Sequence, residues 1–444
     1  MGLSFSLGDI TWSQADAAGT VYTVSGLGFQ PKALFFFTSG VIGGGAGSEV
    51  DHARHSCGFA TSTSDRRCIG FRSQDATAAQ DCQEIYRADA VVAVCTTAPA
   101  VDGLLDLNSI TSDGFTLIVD DQLATSGMTV HWCAWGGSDI VTAATGEIVE
   151  PAATGNQSYS VTGWLTTFVG DAAVMFAGCQ LTAAAPTTAA QDSGFMFGAA
   201  TGTGAGNQWV MASNEDDGSA TMDTDRYRRG DECLAMMTVA GGNPNARATF
   251  NGFDSAGFDL NWTARAVTNR RYIYLAIQGG GWKAGSYTID LSNLANSTTV
   301  SGLKFRPRGG LSASGSMAES AAGTSSTGAN LGLGCWKPTG AAVGAASGFI
   351  SNNGSANAEI LLNMYFTPTI LGFPGTGGTD IWTVEIEAYN SDGFRVGVTL
   401  TEALTDFQSY LAFGDSPGPT VTYPHHVARG RAMIASGFKP PDKV

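Results

Sequence analysis

Ser112-Asp-Gly-Phe115, Ser255-Ala-Gly-Phe258 and Ser391-Asp-Gly-Phe394 are three copies of one short block. About 16 or 17 residues after each phenylalanine comes an aromatic–x–Ala–apolar stretch with glycine close behind. These stretches are Trp132-Cys-Ala-Trp-Gly136, Tyr274-Leu-Ala-Ile-Gln-Gly279 and Tyr410-Leu-Ala-Phe-Gly414. Working back from the blocks, each copy has an apolar run ahead of it: Ala90–Cys95, Cys233–Val239 and Ile360–Phe366. Further back stands an inner block, Ser56-Cys-Gly-Phe59, Ser193-Gly-Phe195 and Ser347-Gly-Phe349. Each copy opens on Val24-Ser-Gly-Leu-Gly-Phe-Gln-Pro31, Val161-Thr-Gly-Trp164 or Val300-Ser-Gly-Leu-Lys-Phe-Arg-Pro307. The period of about 140 residues is too long for a solenoid repeat and fits a whole domain.

The repeated pieces read as strands. Phe394-Arg-Val-Gly-Val-Thr-Leu400 alternates at period two, and Phe115-Thr-Leu-Ile-Val119 is rich in β-formers. In the closing block, glycine is expected to supply a positive φ and aspartate to bond the turn backbone. The Gly-Phe strand and the aromatic strand after it are expected to form a hairpin. Ala183–Ala190 carries threonine and proline and reads as loop. Helical periodicity is not evident. The fold class is therefore all-β: three tandem antiparallel β-sandwich modules plus a C-terminal arm. The divisions fall at 1–140, 141–281, 282–422 and 423–444. The three modules either sit around an axis or form a rod.

Composition narrows the partners. Lys plus Arg is 23 against 39 for Asp plus Glu, a formal net charge of -16. That sign disfavours nucleic acid and anionic membrane surfaces. No apolar run is long enough to span a bilayer. The start lacks a basic n-region, so the expectation is a chain made in a cytoplasm and carried out only within a larger assembly. Low charge and few lysines suit close-packed contacts, so a homo-oligomer is expected. The segment 423–444 holds His425, His426, Arg429, Arg431, Lys439 and Lys443 against Asp442 alone. Arg429, Arg431, Lys439 and Lys443 are the candidate assembly contacts of a basic arm on an acidic body.

Catalytic and metal motifs are scarce. The eight cysteines, Cys57, Cys68, Cys82, Cys95, Cys133, Cys179, Cys233 and Cys335, show no CxxC spacing and read as buried thiols. His52-Ala-Arg-His55 offers an i, i+3 pair but no third ligand, and reads as an exposed loop. His131 reads as a strand-face residue. Val41-Ile-Gly-Gly-Gly-Ala-Gly-Ser48 lacks the lysine of a phosphate loop and reads as a hairpin loop. Asn214-Glu-Asp-Asp-Gly218 with Asp223 and Asp225 offers oxygens suited to calcium, but not at EF-hand spacing, and reads as a solvated loop. No carboxylate pair stands out as a glycosidase dyad. No cofactor or metal is expected, and the chain reads as non-enzymatic.

The stretches Val24–Phe37 and Ser112–Gly136 resemble the modular β-rich virion proteins of tailed bacteriophages, of tail-fibre, baseplate or head-decoration type. Their arrangement is also similar to H-type lectin domains. There an early Phe-x-Pro-Lys strand precedes a Gly-Phe strand and a final Trp-x-Ala strand in a trimerising sandwich. The middle copy lacks the Phe-x-Pro, and the third has Arg308 where the first has Lys32. The resemblance implies a virion structural protein on tail, fibre or capsid, with other virion subunits as partners. A lectin-like adhesin that contacts a host-surface glycan is the alternative, and a polysaccharide-degrading tailspike is the third.

Overall fold

A computed structural model describes residues 2–41, 48–49, 52–74, 81–96, 99–165, 171–218, 223–237, 243–266, 269–290, 297–315, 317–339, 341–351, 360–366, 369–374, 380–400 and 405–415. All helix or strand among these residues is β-strand, and no helix is long and apolar enough to cross a membrane. The described residues form three sandwiches, each a seven-stranded sheet facing a four-stranded one.

In the first module the large sheet runs Leu3–Trp12, Met128–Gly137, Pro31–Thr38, His52–Ala60, Arg66–Gln74 and Cys82–Arg87. Its small sheet runs Val21–Val24, Gly114–Asp121, Val101–Thr111 and Val92–Cys95. The second large sheet runs Ile140–Val149, Arg271–Gly279, Ala172–Gly178, Ser193–Ala200, Gln208–Glu215 and Thr224–Arg229. The third runs Gly281–Asp290, Thr405–Gly414, Pro307–Ser314, Ala329–Thr339, Ala341–Ser351 and Ile360–Phe366. Their small sheets are built from Gly155–Ser160, Gly257–Ala264, Pro244–Phe253 and Leu234–Met237, and from Ser297–Ser301, Gly393–Leu400, Asp380–Asn390 and Thr369–Pro374.

The seventh strand of every large sheet comes from another module. Thr187–Ala190 of the second pairs with Cys82–Arg87 of the first. Ser326–Thr327 of the third pairs with Thr224–Arg229 of the second. Ser48–Glu49 of the first pairs with Ile360–Phe366 of the third. The donations run in a cycle, so the modules close on themselves around a pseudo-threefold axis. Every such pairing caps an edge strand that would otherwise expose unpaired backbone groups.

The large sheets are buried on both faces, which explains their unbroken apolar runs. In Ala33-Leu-Phe-Phe-Phe37, Leu34 and Phe36 point into the first sandwich, while Ala33, Phe35 and Phe37 point to the axis. In Tyr272–Ile277, Tyr272, Tyr274 and Ala276 fill the second sandwich, and Ile273, Leu275 and Ile277 face the axis. One apolar cluster at the axis draws on all three large sheets, and each sandwich keeps its own core as well.

The closing block has a different geometry from the expected hairpin. Gly114–Asp121 lies in the small sheet and Met128–Gly137 in the large one. They meet face to face across the sandwich. Phe115 and Trp132 pack edge-on at 5.4 Å, Phe258 and Tyr274 at 5.2 Å, and Phe394 and Tyr410 at 5.4 Å. Beneath each aromatic ring is a glycine of the module's first strand: Gly8 opposite Trp132, Gly146 opposite Tyr274, Gly285 opposite Tyr410. A Cβ at any of the three would overlap that ring. The glycines of the closing blocks, Gly114, Gly257 and Gly393, are not among those with positive φ. Their missing Cβ instead lets the carbonyls of Val24, Tyr159 and Val300 approach.

Three further expectations are corrected. Ala183–Ala190 is not all loop, because Thr187–Ala190 is the exchanged strand. The inner block is not a structural repeat. Ser347-Gly-Phe349 sits one strand further along its sheet than Ser56–Phe59 or Ser193–Phe195. Likewise Ile360–Phe366 belongs to the large sheet, and Thr369–Pro374 takes the place expected of the third apolar run.

Candidate functional site: the seams between modules

Several of the buried polar side chains gather at the seams. At the first–second seam, Glu84 is fully buried beside the exchanged strand. Its Oε1 accepts the backbone N–H groups of Gln180 at 3.1 Å and Gly194 at 2.8 Å, and its Oε2 accepts Gln191 Nε2 at 2.7 Å. Burial pushes its carboxyl up to about 8, against the opposing pull of those donors and of Arg270. Nearby, Asp217 accepts Cys82 N–H at 2.9 Å, and Asp65 accepts both the backbone N–H and the hydroxyl of Thr145. Glu147 of the second module takes Tyr86 of the first and Arg271 of its own.

At the second–third seam the chemistry inverts. The position matching Glu84 in strand order and register is Arg226, which donates to Gly315 O at 3.3 Å. Arg228 is buried and donates Nη2 to Ser409 Oγ at 2.6 Å, while its backbone N–H reaches Ser320 Oγ. Trp209 Nε1 donates to Tyr410 O at 2.8 Å. At the third–first seam, Leu3 N–H donates to Asp415 Oδ1 at 3.0 Å, and Phe5 packs edge-on against Phe413 at 4.5 Å. That contact stands where Ser138-Asp139 and Gly280 link consecutive modules at the other two seams.

The residues singled out by the sequence fall as follows. Arg429, Arg431, Lys439 and Lys443 lie outside the described residues, as does most of the Gly-rich loop, residues 42–47. His52 and His55 are in a strand rather than an exposed loop. Their odd spacing places them on opposite faces, which rules out a shared metal. His55 is buried against Phe71 at 5.0 Å, and burial lowers it to about 3. His131 faces the axis, with Nε2 3.3 Å from Ala346 O of the third module, and burial lowers it to about 4.

The acidic stretch is not a solvated loop throughout. Asn214, Glu215 and Asp225 are buried, Asp217 bonds Cys82, and Asp225 accepts Ser325 Oγ of the third module. Asp216 is raised to about 7 by burial and by its hydrogen bond with Asp192. Among the described residues, no group of three or more His, Cys, Asp or Glu side chains is placed to hold a metal ion. All eight cysteines are free and buried, and Cys133 of the first module meets Cys335 of the third at the axis.

Sequence reading missed Glu84 and the three ring-accommodating glycines. A signal for the glycines existed: Gly8, Gly146 and Gly285 each stand about 15 or 16 residues ahead of the opening valine. Glu84 carries no such signal, because its burial depends on a partner module.

One surface groove of about 490 Å³ opens at the first–second seam, lined by Gln30, Lys32, Thr61, Ser62 and Thr63 with Pro31, Ile110 and Ala143. Trp164, Trp209, Trp262, Trp282, Trp336 and Trp382 are all buried, and no aromatic ring is among the exposed large hydrophobics of the described residues. No family model, curated protein or solved structure matches the chain.

Proposed function

We propose that the chain is a structural protein of a tailed-bacteriophage virion, displayed on tail, fibre or capsid, and that it works by permanent contact rather than by catalysis. The observation that carries this reading is the role of its buried and half-buried ionisable groups. Glu84, Asp65, Asp217, Asp225 and Arg228 each bond across a seam between modules. Such a body is a rigid, self-capped block with loops at its periphery, suited to a fixed place in a particle. Its exchange edges are filled from within. Contacts with other virion subunits, including further copies of the chain, then use surfaces outside the seams. Arg429, Arg431, Lys439 and Lys443 are the proposed contact residues.

The test is the protein inventory of purified particles. A fixed copy number per particle supports the reading, and absence from the particle removes it. Deletion of 423–444 then releases the chain from the particle if the basic arm anchors it.

A second reading is favoured by the polar groove. Its hydroxyl and amide lining suits a carbohydrate hydroxyl pattern, so the same exposed protein would contact a host-surface glycan there. A glycan array without a binder removes this reading and leaves the first intact.

A further inference from the structure

In the first module Arg54 and Arg72 stand directly opposite each other on paired strands, on the face turned into the sandwich. Both are buried, Arg54 to 5% and Arg72 to 2% exposure. Like charges so placed destabilise a sheet unless something answers them. Arg54 is answered. It donates to Asp102 at 3.3 Å, to Ser126 O and Gly40 O at 3.0 Å, to Ser126 Oγ at 2.7 Å and to Thr125 Oγ1. Asp102 is also committed, accepting the N–H groups of Ala124 and Thr125 and the Thr125 hydroxyl.

The Arg72 side chain makes no hydrogen bond and no ion pair among the described residues, and its Nε is buried without a partner. Asp102 and Asp81 lie near enough to act on Arg72 electrostatically, but neither is bonded to it. Burial, followed by the nearness of Arg54, lowers the basicity of Arg72. A buried unpaired charge of this kind strongly destabilises a fold.

We propose that the end of the first sandwich binds one small oxyanion, a phosphate, sulfate or carboxylate group, held by the free guanidinium of Arg72 beside the Arg54–Asp102 pair. A planar guanidinium matches two oxygens of such a group with two parallel N–H bonds. The site is single. The strand registers place Gly194 and Asn214 at the corresponding positions of the second module, and Asn330 and Ile350 at those of the third. In the second module Gln180 Nε2 donates to Asn214 Oδ1 at 2.6 Å, and the nearby Arg270 is answered by Gln180 Oε1 at 3.5 Å and by Asn245.

The test uses the full chain with inorganic phosphate, sulfate or acetate against chloride at matched ionic strength. Titration calorimetry gives a saturable signal with one site per chain for at least one oxyanion. Which of the three binds most tightly identifies the class. At well above the dissociation constant, the melting temperature rises by about 3 °C over chloride. Arg72→Leu abolishes both effects and melts no lower than the wild type in chloride, because it removes an unpaired charge. The site is overturned by the absence of saturable binding to the wild type, by three sites per chain, or by an equal thermal shift in Arg72→Leu. If that variant fails to fold, the wild-type titration and Arg72→Gln decide between the same outcomes.

Discussion

The first and third modules differ from the second at two places that touch. In the first, Asp113 of the closing block accepts the N–H groups of Gly26 at 3.0 Å and Gly28 at 2.6 Å in the opening loop. In the third, Asp392 accepts those of Gly302 at 3.0 Å and Lys304 at 2.5 Å. Lys304 keeps a left-handed backbone, φ 67°, where the first module has Gly28. The second module has Ala256 in place of the aspartate and has lost the Leu-x-Phe-x-Pro opener that the aspartate would hold. Trp164 takes over. It stacks on Phe253 at 5.7 Å and donates Nε1 to Asp254 O at 3.1 Å. The opener and the closer therefore diverge as one unit. The edge-on aromatic pair between the sheets is the same in all three modules.

The largest expected effect falls on what the modules share. Phe115→Ala, Phe258→Ala and Phe394→Ala each cost about 3–5 kcal/mol by emptying the same contact. Denaturation of the three variants checks this, and a much smaller loss in one module would break the equivalence.

The seams come next, because there the modules differ in charge. Glu84 keeps its proton up to about pH 8 in the folded chain, against an ordinary value of 4.5. The folded state binds more protons over that interval, so stability declines as pH rises from about 4.5 to about 8 and levels off above it. Glu84→Gln flattens the decline in melting temperature. Arg226→Gln, at the matching place of the next seam, leaves it unchanged.

The opener contrast carries smaller effects. Asp113→Ala and Asp392→Ala each remove two hydrogen bonds from an exposed loop, a loss of about 1–2 kcal/mol. Ala256→Asp in the second module changes stability by less than about 0.5 kcal/mol, because the loop it would cap is absent. Thermal melts of the three variants measure this, and a gain from Ala256→Asp comparable to the two losses would contradict it.

The sequence made the modules legible because their repeats lie where local chemistry is strongest. The Gly-Phe closer, the aromatic strand and the Val-x-Gly opener recur in order, and the structure places each at equivalent positions. What it hid depends on contacts far apart in the chain. Thr187–Ala190 reads as loop because four small polar and apolar residues show no alternation, and its partner is a strand of another module. The runs Ala33–Phe37 and Tyr272–Ile277 show no face of their own, since both faces are buried, one by each of two cores. The Ser-Gly-Phe inner block misled for the opposite reason: serine, glycine and phenylalanine are common here, and their recurrence does not reflect equivalent positions. The glycine of the closer gives room to a neighbouring carbonyl rather than a turn, a distinction that needs the paired strand.

Cyclic strand exchange brings the first and third modules together, which a row of modules cannot do. Ser48 and Leu362 are partners in the closing pairing. Paired residues of antiparallel strands stand about 4.5–5.5 Å apart at Cα, within disulfide range. The native cysteines are buried and free, so they do not compete. The most direct measurement is peptide mapping of the oxidised double variant Ser48→Cys, Leu362→Cys. A closed ring gives a 48–362 disulfide within single chains at low protein concentration. Failure to form it, or its formation only between two chains, would contradict the ring.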